Sequence, residues 1–199
     1  MFFYEAEAKR NGCLRVAGID EAGRGPLAGP VVAAAVILPD ECHLEGVRDS
    51  KKLSHAMRER LFPLIRRTAV GFGVAVVEAD VIDEINILQA ARLAMKRAVE
   101  QLPSPPDFLL IDGNCRIDSP IGQRTIIGGD NRSRSIAAAS VLAKVTRDRL
   151  MMQYHGQYPQ YAFDRHKGYG TRLHRDRIKT FGPCPIHRRT FKGVREFLR

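Results

Sequence analysis

Four carboxylates stand where strands or helices begin or end. Asp20-Glu21 closes an apolar run over residues 14–19, Asp112 closes another at 108–111, and Asp130 follows Gly128-Gly129 just ahead of a long helical stretch. A strand tip delivers its side chain to a fixed point on the sheet's rim, and adjacent strands bring their tips together. Crowded carboxylates repel one another unless a cation lies between them. Such a cluster therefore points to a hard divalent ion with oxygen ligands, Mg²⁺ or Mn²⁺, whose retained waters serve as nucleophiles. Each acid also has a plainer reading. An aspartate after a strand is commonly a turn former, and Asp130 could equally be the N-cap of the helix that follows. Next to the first pair, Gly23-Arg24-Gly25-Pro26 is either an ordinary turn or a place where bare backbone N–H groups meet phosphate or hydroxyl oxygens.

The elements that must position these residues follow from periodicity. Apolar runs rich in β-branched residues at 14–19, 31–38, 69–77 and 108–111 read as strands, with a small edge strand at 124–127. Gly71 and Gly73 mark a bulge or a close backbone approach in the third. Helices are expected over 54–67, with Pro63 an awkward interior residue, over 81–102 with Asp80 as a cap, and over 133–153. Shorter helical stretches are expected at 171–180 and 194–198. Alternation of this kind predicts an α/β fold with a mixed sheet flanked by helices. It forms a single domain, with a core over about residues 12–155 and a basic helical C-terminal extension over about 156–199.

Composition narrows the class. The chain has 199 residues, 44% hydrophobic and 27% charged, which excludes a disordered or collagen-like chain. No apolar run is long enough to span a bilayer, and the N-terminus lacks the order of a secretion signal. Cys13, Cys42, Cys115 and Cys184 form no CxxC pair, so neither structural zinc nor a disulfide framework is expected, and the expected location is the reducing cytoplasm. The formal net charge is +10, and residues 151–199 hold 11 basic against 3 acidic side chains. That asymmetry is suited to a polyanionic partner or to a solvated basic face.

The segment Gly18-Ile19-Asp20-Glu21-Ala22-Gly23-Arg24-Gly25-Pro26-Leu27-Ala28-Gly29-Pro30 resembles the N-terminal signature of ribonuclease HII, the bacterial type 2 ribonuclease H. The likeness continues through Asp49-Ser50-Lys51-Lys52-Leu53-Ser54, Asp83-Glu84-Ile85-Asn86-Ile87-Leu88 and Ile111-Asp112-Gly113-Asn114. It is carried on by Ala137-Ala138-Ala139-Ser140-Val141-Leu142-Ala143-Lys144-Val145-Thr146-Arg147-Asp148 and by His166-Lys167-Gly168-Tyr169-Gly170-Thr171. The motifs keep the family's order from about residue 14 to 191. Departures are confined to Cys115 and to the stretch 132–134.

The resemblance implies a ribonuclease H-like fold with a five-stranded mixed sheet. It implies a metal-dependent endonuclease, needing Mn²⁺ or Mg²⁺, that hydrolyses the RNA strand of RNA–DNA hybrids. The same family cuts 5′ of single ribonucleotides embedded in duplex DNA, leaving 3′-hydroxyl and 5′-phosphate ends, during ribonucleotide removal in replication and repair. Carried over by position, the catalytic and metal-binding acids are Asp20, Glu21, Asp112 and Asp130. The Gly-Arg-Gly motif falls on Gly23, Arg24 and Gly25, and the substrate tyrosine on Tyr169. Two cations with substrate bound are expected, Asp20 bridging them, with Glu21 and Asp112 on one and Asp130 on the other. Ser50, Lys51 and Lys52 are placed to hold the DNA backbone, or are a cap with solvated lysines. Lys144, Thr146 and Arg147 are candidates for phosphate contacts. A monomer without membrane association is expected.

Overall fold

The structure is a computed structural model and describes residues 3–40, 42 and 53–198. Its centre is set by a segment with no polar side chain. Val31–Ile37 (β2), of sequence VVAAAVI, is buried at every position, so both faces of this strand must be covered. It pairs antiparallel with Val16–Ala22 (β1) and with Gly71–Val77 (β3). On its other side β1 pairs parallel with Phe108–Asp112 (β4), which pairs parallel with Gly122–Ile126 (β5). The sheet order is β3-β2-β1-β4-β5, the mixed five-stranded sheet that the sequence predicts.

Strand alternation sends odd and even residues to opposite layers. Ala17, Ile19, Ala33, Ala35, Leu109 and Ile111 face Ala79–Glu100 (α3), meeting its Ala90, Ala91, Ala94 and Ala98. On the other face Ala34 and Val36 meet Ala137, Ala138 and Val141 of Arg134–Gln157 (α4), and His55–Thr68 (α2) completes that layer through Leu61 and Ile65. Small residues let the layers approach to backbone contact. A Cβ on Gly18 would lie 2.2 Å from the backbone of Ser135 and Ile136, and one on Gly73 2.1 Å from the Ala98 carbonyl. The glycines at 71 and 73 therefore mark close approach rather than a bulge, as the register runs unbroken from Val31↔Val77 to Ile37↔Gly71.

Several details depart from the sequence reading. β1 starts two residues later than expected and runs on through both acids. Pro63 sits inside α2 without ending it; Ser54 caps that helix, accepting from the Met57 N–H at 3.2 Å. The cap position of α3 is Glu78 rather than Asp80. Within α3, Asn86 has φ 67°, and its side chain accepts from the N–H groups of Leu88 and Gln89, restarting the helix after a kink. The stretch expected as a last helix is a single 3₁₀ turn, Arg195–Phe197.

An N-terminal helix, Phe3–Arg10 (α1), was not legible in the sequence. It docks through Glu5, whose Oε1 accepts from Ser133 Oγ, Ser135 N and Ser135 Oγ at 2.7, 3.0 and 2.8 Å. These groups form the N-terminus of α4, where a carboxylate is favoured by the orphan N–H groups.

The basic C-terminal segment, with helices Phe163–His166 (α5) and Arg172–Phe181 (α6), folds back onto the loop between β1 and β2. Leu27 N–H donates to the Gly168 carbonyl, Gly29 N–H to that of Ile186, and Arg188 N–H to that of Leu27, all within 2.9 Å. Asp83 of α3 takes the N–H groups of Arg189 and Thr190 and the Thr190 hydroxyl at 2.6–2.9 Å. Among the described residues no helix is long and apolar enough to cross a membrane.

Candidate active site at the carboxyl ends of two parallel strands

In open α/β sheets the carboxyl ends of parallel strands form the crevice where ligands bind. β1 and β4 are the parallel neighbours at the middle of this sheet, and their register pairs Ile19 with Ile111. The next residue on each strand is an aspartate, so Asp20 and Asp112 emerge side by side on the α4 face. Asp20 is buried at 6% exposure. Its Oδ1 accepts from the Glu21 N–H at 2.7 Å, and the Ser140 side chain hydrogen-bonds the same carboxylate. Burial first, then the charges of Glu21 and Asp112, hold the Asp20 proton affinity well above the usual carboxylate range. Glu21 is also shifted upward by burial; Arg24, at 3.3 Å, opposes the shift and Asp112 adds to it. Each of the three carboxylates thus lies within electrostatic reach of the other two.

Asp112 is oriented by backbone: its Oδ1 accepts from the Gly129 N–H at 2.6 Å. Gly128, in the left-handed region at φ 65°, turns the chain into a 3₁₀ turn over Gly129–Asn131. Asp130 is fully buried there, next to the residue that bonds Asp112, and the Asn131 amide donates to it at 3.2 Å. Asp130 is not the cap of α4; Ser133 is, accepting from Ile136 N at 3.2 Å. Among the described residues no three His, Cys, Asp or Glu side chains converge into a ready-made metal cage. What the fold brings together is three mutually repelling acids, with the fourth on the adjoining turn. An oxygen-only donor set short of positive charge fits a hard divalent cation.

The Gly-Arg-Gly loop lies directly beyond Glu21. Gly23 has φ 99°, and a Cβ there would strike Arg147 at 2.2 Å, so only glycine fits. Arg24 and Gly25 are exposed. Opposite Gly25 stands Tyr169, 45% exposed and 3.9 Å from where a Gly25 Cβ would lie. The Tyr169 backbone is set by a chain of neutral histidines. Cys184 N–H donates to His187 Nδ1 at 2.9 Å, leaving His187 Nε2–H to donate to His174 Nε2 at 3.0 Å. His174 Nδ1–H then donates to the Tyr169 carbonyl at 3.0 Å. Burial pulls the proton affinities of His174 and His187 down to about 3 and about 4. His166 stacks on His174, with ring centres 4.4 Å apart.

The remaining sequence candidates divide. Lys144 and Thr146 are half-buried on α4, and burial lowers the Lys144 proton affinity, with Asp148 opposing. Ser50, Lys51 and Lys52 lie outside the described residues. Arg147 corrects the sequence reading: at 2% exposure it does not face a phosphate. Its guanidinium donates to the carbonyls of Pro30, Lys167 and Ala28 at 3.0–3.1 Å. The sequence reading also missed Arg188, fully buried and bonded to the carbonyls of Gly29, Arg24 and Gly23. An arginine within a basic stretch carries no local sign of such burial. Ser140 follows three alanines in the sequence, and nothing there marks its hydrogen bond to Asp20.

This sheet, with two aspartates at the tips of its central parallel pair, defines a ribonuclease H-type nuclease. The ribonuclease H2 of Pyrococcus horikoshii OT3 superposes with a TM-score of 0.77 at 27% identity, covering 92% of this chain and 97% of that one. The ribonuclease HII of Syntrophotalea carbinolica is 56% identical over 196 residues, covering 98% of this chain and 94% of that protein. That of Geobacter sulfurreducens is 59% identical over 195 residues, with 98% and 90% covered. The ribonuclease HII family pattern matches residues 17–194, and the chain belongs to the ribonuclease HII family. It is accordingly a ribonuclease H, a divalent-metal-dependent hydrolase acting on RNA in hybrids, and its substrates are nucleic acids.

Proposed function

We propose that this ribonuclease H also recognises single ribonucleotides embedded in duplex DNA and cuts on their 5′ side, leaving 3′-hydroxyl and 5′-phosphate ends. Such an activity would serve ribonucleotide removal during DNA replication and repair in the cytoplasm, the chain working as a single-domain monomer. The observation that carries this reading is the adjacency of the three-acid corner, the Gly23-Arg24-Gly25 loop with Arg24 and Gly25 exposed, and the Tyr169 ring. A 2′-hydroxyl, both donor and acceptor, is the direct mark of a ribose. A reader made of one short loop and one ring is small enough to question a single sugar.

Asp20, Glu21 and Asp112 would hold Mg²⁺ or Mn²⁺, with Asp130 as the fourth acid and two ions when substrate is bound. Asp20, whose charge interacts with those of both Glu21 and Asp112, would be the central ligand of that set. When bound, the ions supply an activated water and neutralise charge on the phosphate. Asp112 is kept in its rotamer by the Gly129 N–H, and Arg24 keeps Glu21 turned toward the loop. The exposed N–H groups of the loop and the Tyr169 hydroxyl are offered to the ribose; a deoxyribose would leave them unmade. Phosphate contacts from Lys144, Thr146 and the Ser50-Lys51-Lys52 segment would set the register of the duplex without reading the sugar.

The test is cleavage of matched duplexes carrying no ribonucleotide, one, or a run of several, with the product ends identified. Cutting only within the run would sink the proposal. Tyr169→Phe should lower turnover at a single ribonucleotide about tenfold, the worth of one net hydrogen bond. The Mg²⁺ or Mn²⁺ concentration giving half-maximal rate should stay where it is. An unchanged rate at the single site would remove Tyr169 from the reader.

A further inference from the structure

Two arginines, Arg147 and Arg188, are buried behind the Gly-Arg-Gly loop, and among the described residues no carboxylate is hydrogen-bonded to either guanidinium. A buried cation is costly without compensation. Here the compensation is six backbone carbonyls. Arg188 donates to Gly23 O at 2.5 Å, Arg24 O at 2.9 Å and Gly29 O at 3.0 Å. Arg147 takes the carbonyls of Ala28, Pro30 and Lys167. The two charges also repel: the Arg188 proton affinity is lowered by burial first and by Arg147 second. Asp83, whose charge reaches Arg188, spends its oxygens on Arg189 and Thr190 instead.

The direction of these contacts matters more than their number. In a trans peptide the C=O and the following N–H point opposite ways, and the chain has no cis bonds among its described residues. Drawing the carbonyls of Gly23 and Arg24 inward therefore aims the N–H groups of Arg24 and Gly25 outward. Neither N–H donates to a backbone acceptor among the described residues, and both residues are exposed. We propose that Arg188 is a specificity-determining positioning residue, which presents the Arg24 and Gly25 N–H groups to the ribose by gripping the carbonyls behind them. This rests on the reading that the loop interrogates the 2′-hydroxyl.

The test compares Arg188→Lys and Arg188→Ala with the wild type on a duplex containing one ribonucleotide. A lysine keeps the charge but cannot reach three carbonyls in a plane. Arg188→Lys should lose at least about tenfold in kcat, with the half-saturating Mg²⁺ concentration within about twofold of wild type. Arg188→Ala should lose more, and millimolar methylguanidinium should restore part of its rate where methylammonium does not. Wild-type kinetics in Arg188→Lys, or no rescue of Arg188→Ala, would overturn the proposal. So would melting of both variants below the assay temperature with and without methylguanidinium, since Arg188 would then be a general stabiliser. Gly25→Ala separates the two claims, because its added carbon meets only Tyr169, at 3.9 Å. If Gly25→Ala cuts the single ribonucleotide like wild type, the ribose reading itself fails. If it is impaired while Arg188→Lys is not, only the positioning role falls.

Discussion

A carboxylate buried beside two others resists ionisation, and Asp20 is in that position. The cost belongs to the metal-free protein. Asp20 and Glu21 hold protons to higher pH in the fold than in the unfolded chain, so their stabilising contribution is full at low pH. It drains as the pH rises through their raised values. Asp20→Asn removes the charge and keeps an acceptor for the Glu21 N–H. In the presence of a chelator it should raise the unfolding free energy by about 1 kcal/mol or more, read from the denaturant midpoint. The same variant should lose more than about 100-fold in cleavage rate. A variant both active and no more stable would contradict the charge-crowded corner. These acids are legible in the sequence because an apolar run ending in a carboxylate is a local signal. Arg147 and Arg188 are not, because five of the six carbonyls that surround them come from segments more than a hundred residues away.

Among the elements, β1 has the tightest constraint. It supplies Asp20 and Glu21 at its end while Gly18, two residues earlier, lies against the first turn of α4. Gly18→Ala would drive a methyl into backbone that cannot step aside, and should cost about 3 kcal/mol. A thermal melt of this variant unchanged from wild type would show that α4 is free to retreat. The pattern of strands and long helices was readable because each has a clear period. The kink at Asn86 was not, since the flanking residues read as continuous helix and the side chain that restarts it is visible only as one more polar residue. α1 was hidden for a different reason: it is short, and its anchor is Glu5 in the hydrogen-bonding groups of Ser133 and Ser135.

Across the whole molecule, two kinds of charge act in opposite ways. The buried histidines are neutral in the fold and take up protons when it opens, so their contribution is full above pH 6.5. It is lost as the pH falls toward about 4. Relative to His187→Gln, the wild type should therefore lose up to about 1.4 kcal/mol per pH unit in that window. Parallel stability profiles for the two proteins would refute the neutral-histidine chain. On the surface, basic residues of the C-terminal segment such as Arg165 are exposed, and a phosphate contact there would be sensitive to salt. Arg165→Ala should weaken binding of hybrid and of ribonucleotide-bearing duplex alike, lowering the slope of log affinity against log salt by about one. Loss confined to one substrate would assign Arg165 to sugar or shape reading instead.

Arg188 comes late in the chain, and this orders events during synthesis. Both strands that carry the acids, and the turn bearing Asp130, leave the ribosome before the guanidinium that holds Gly23 and Arg24 in place. A partly made chain can therefore possess its hydrolytic corner while the loop beside it still lacks its posture. On the positioning role proposed for Arg188, discrimination between sugars would wait until that residue has been added.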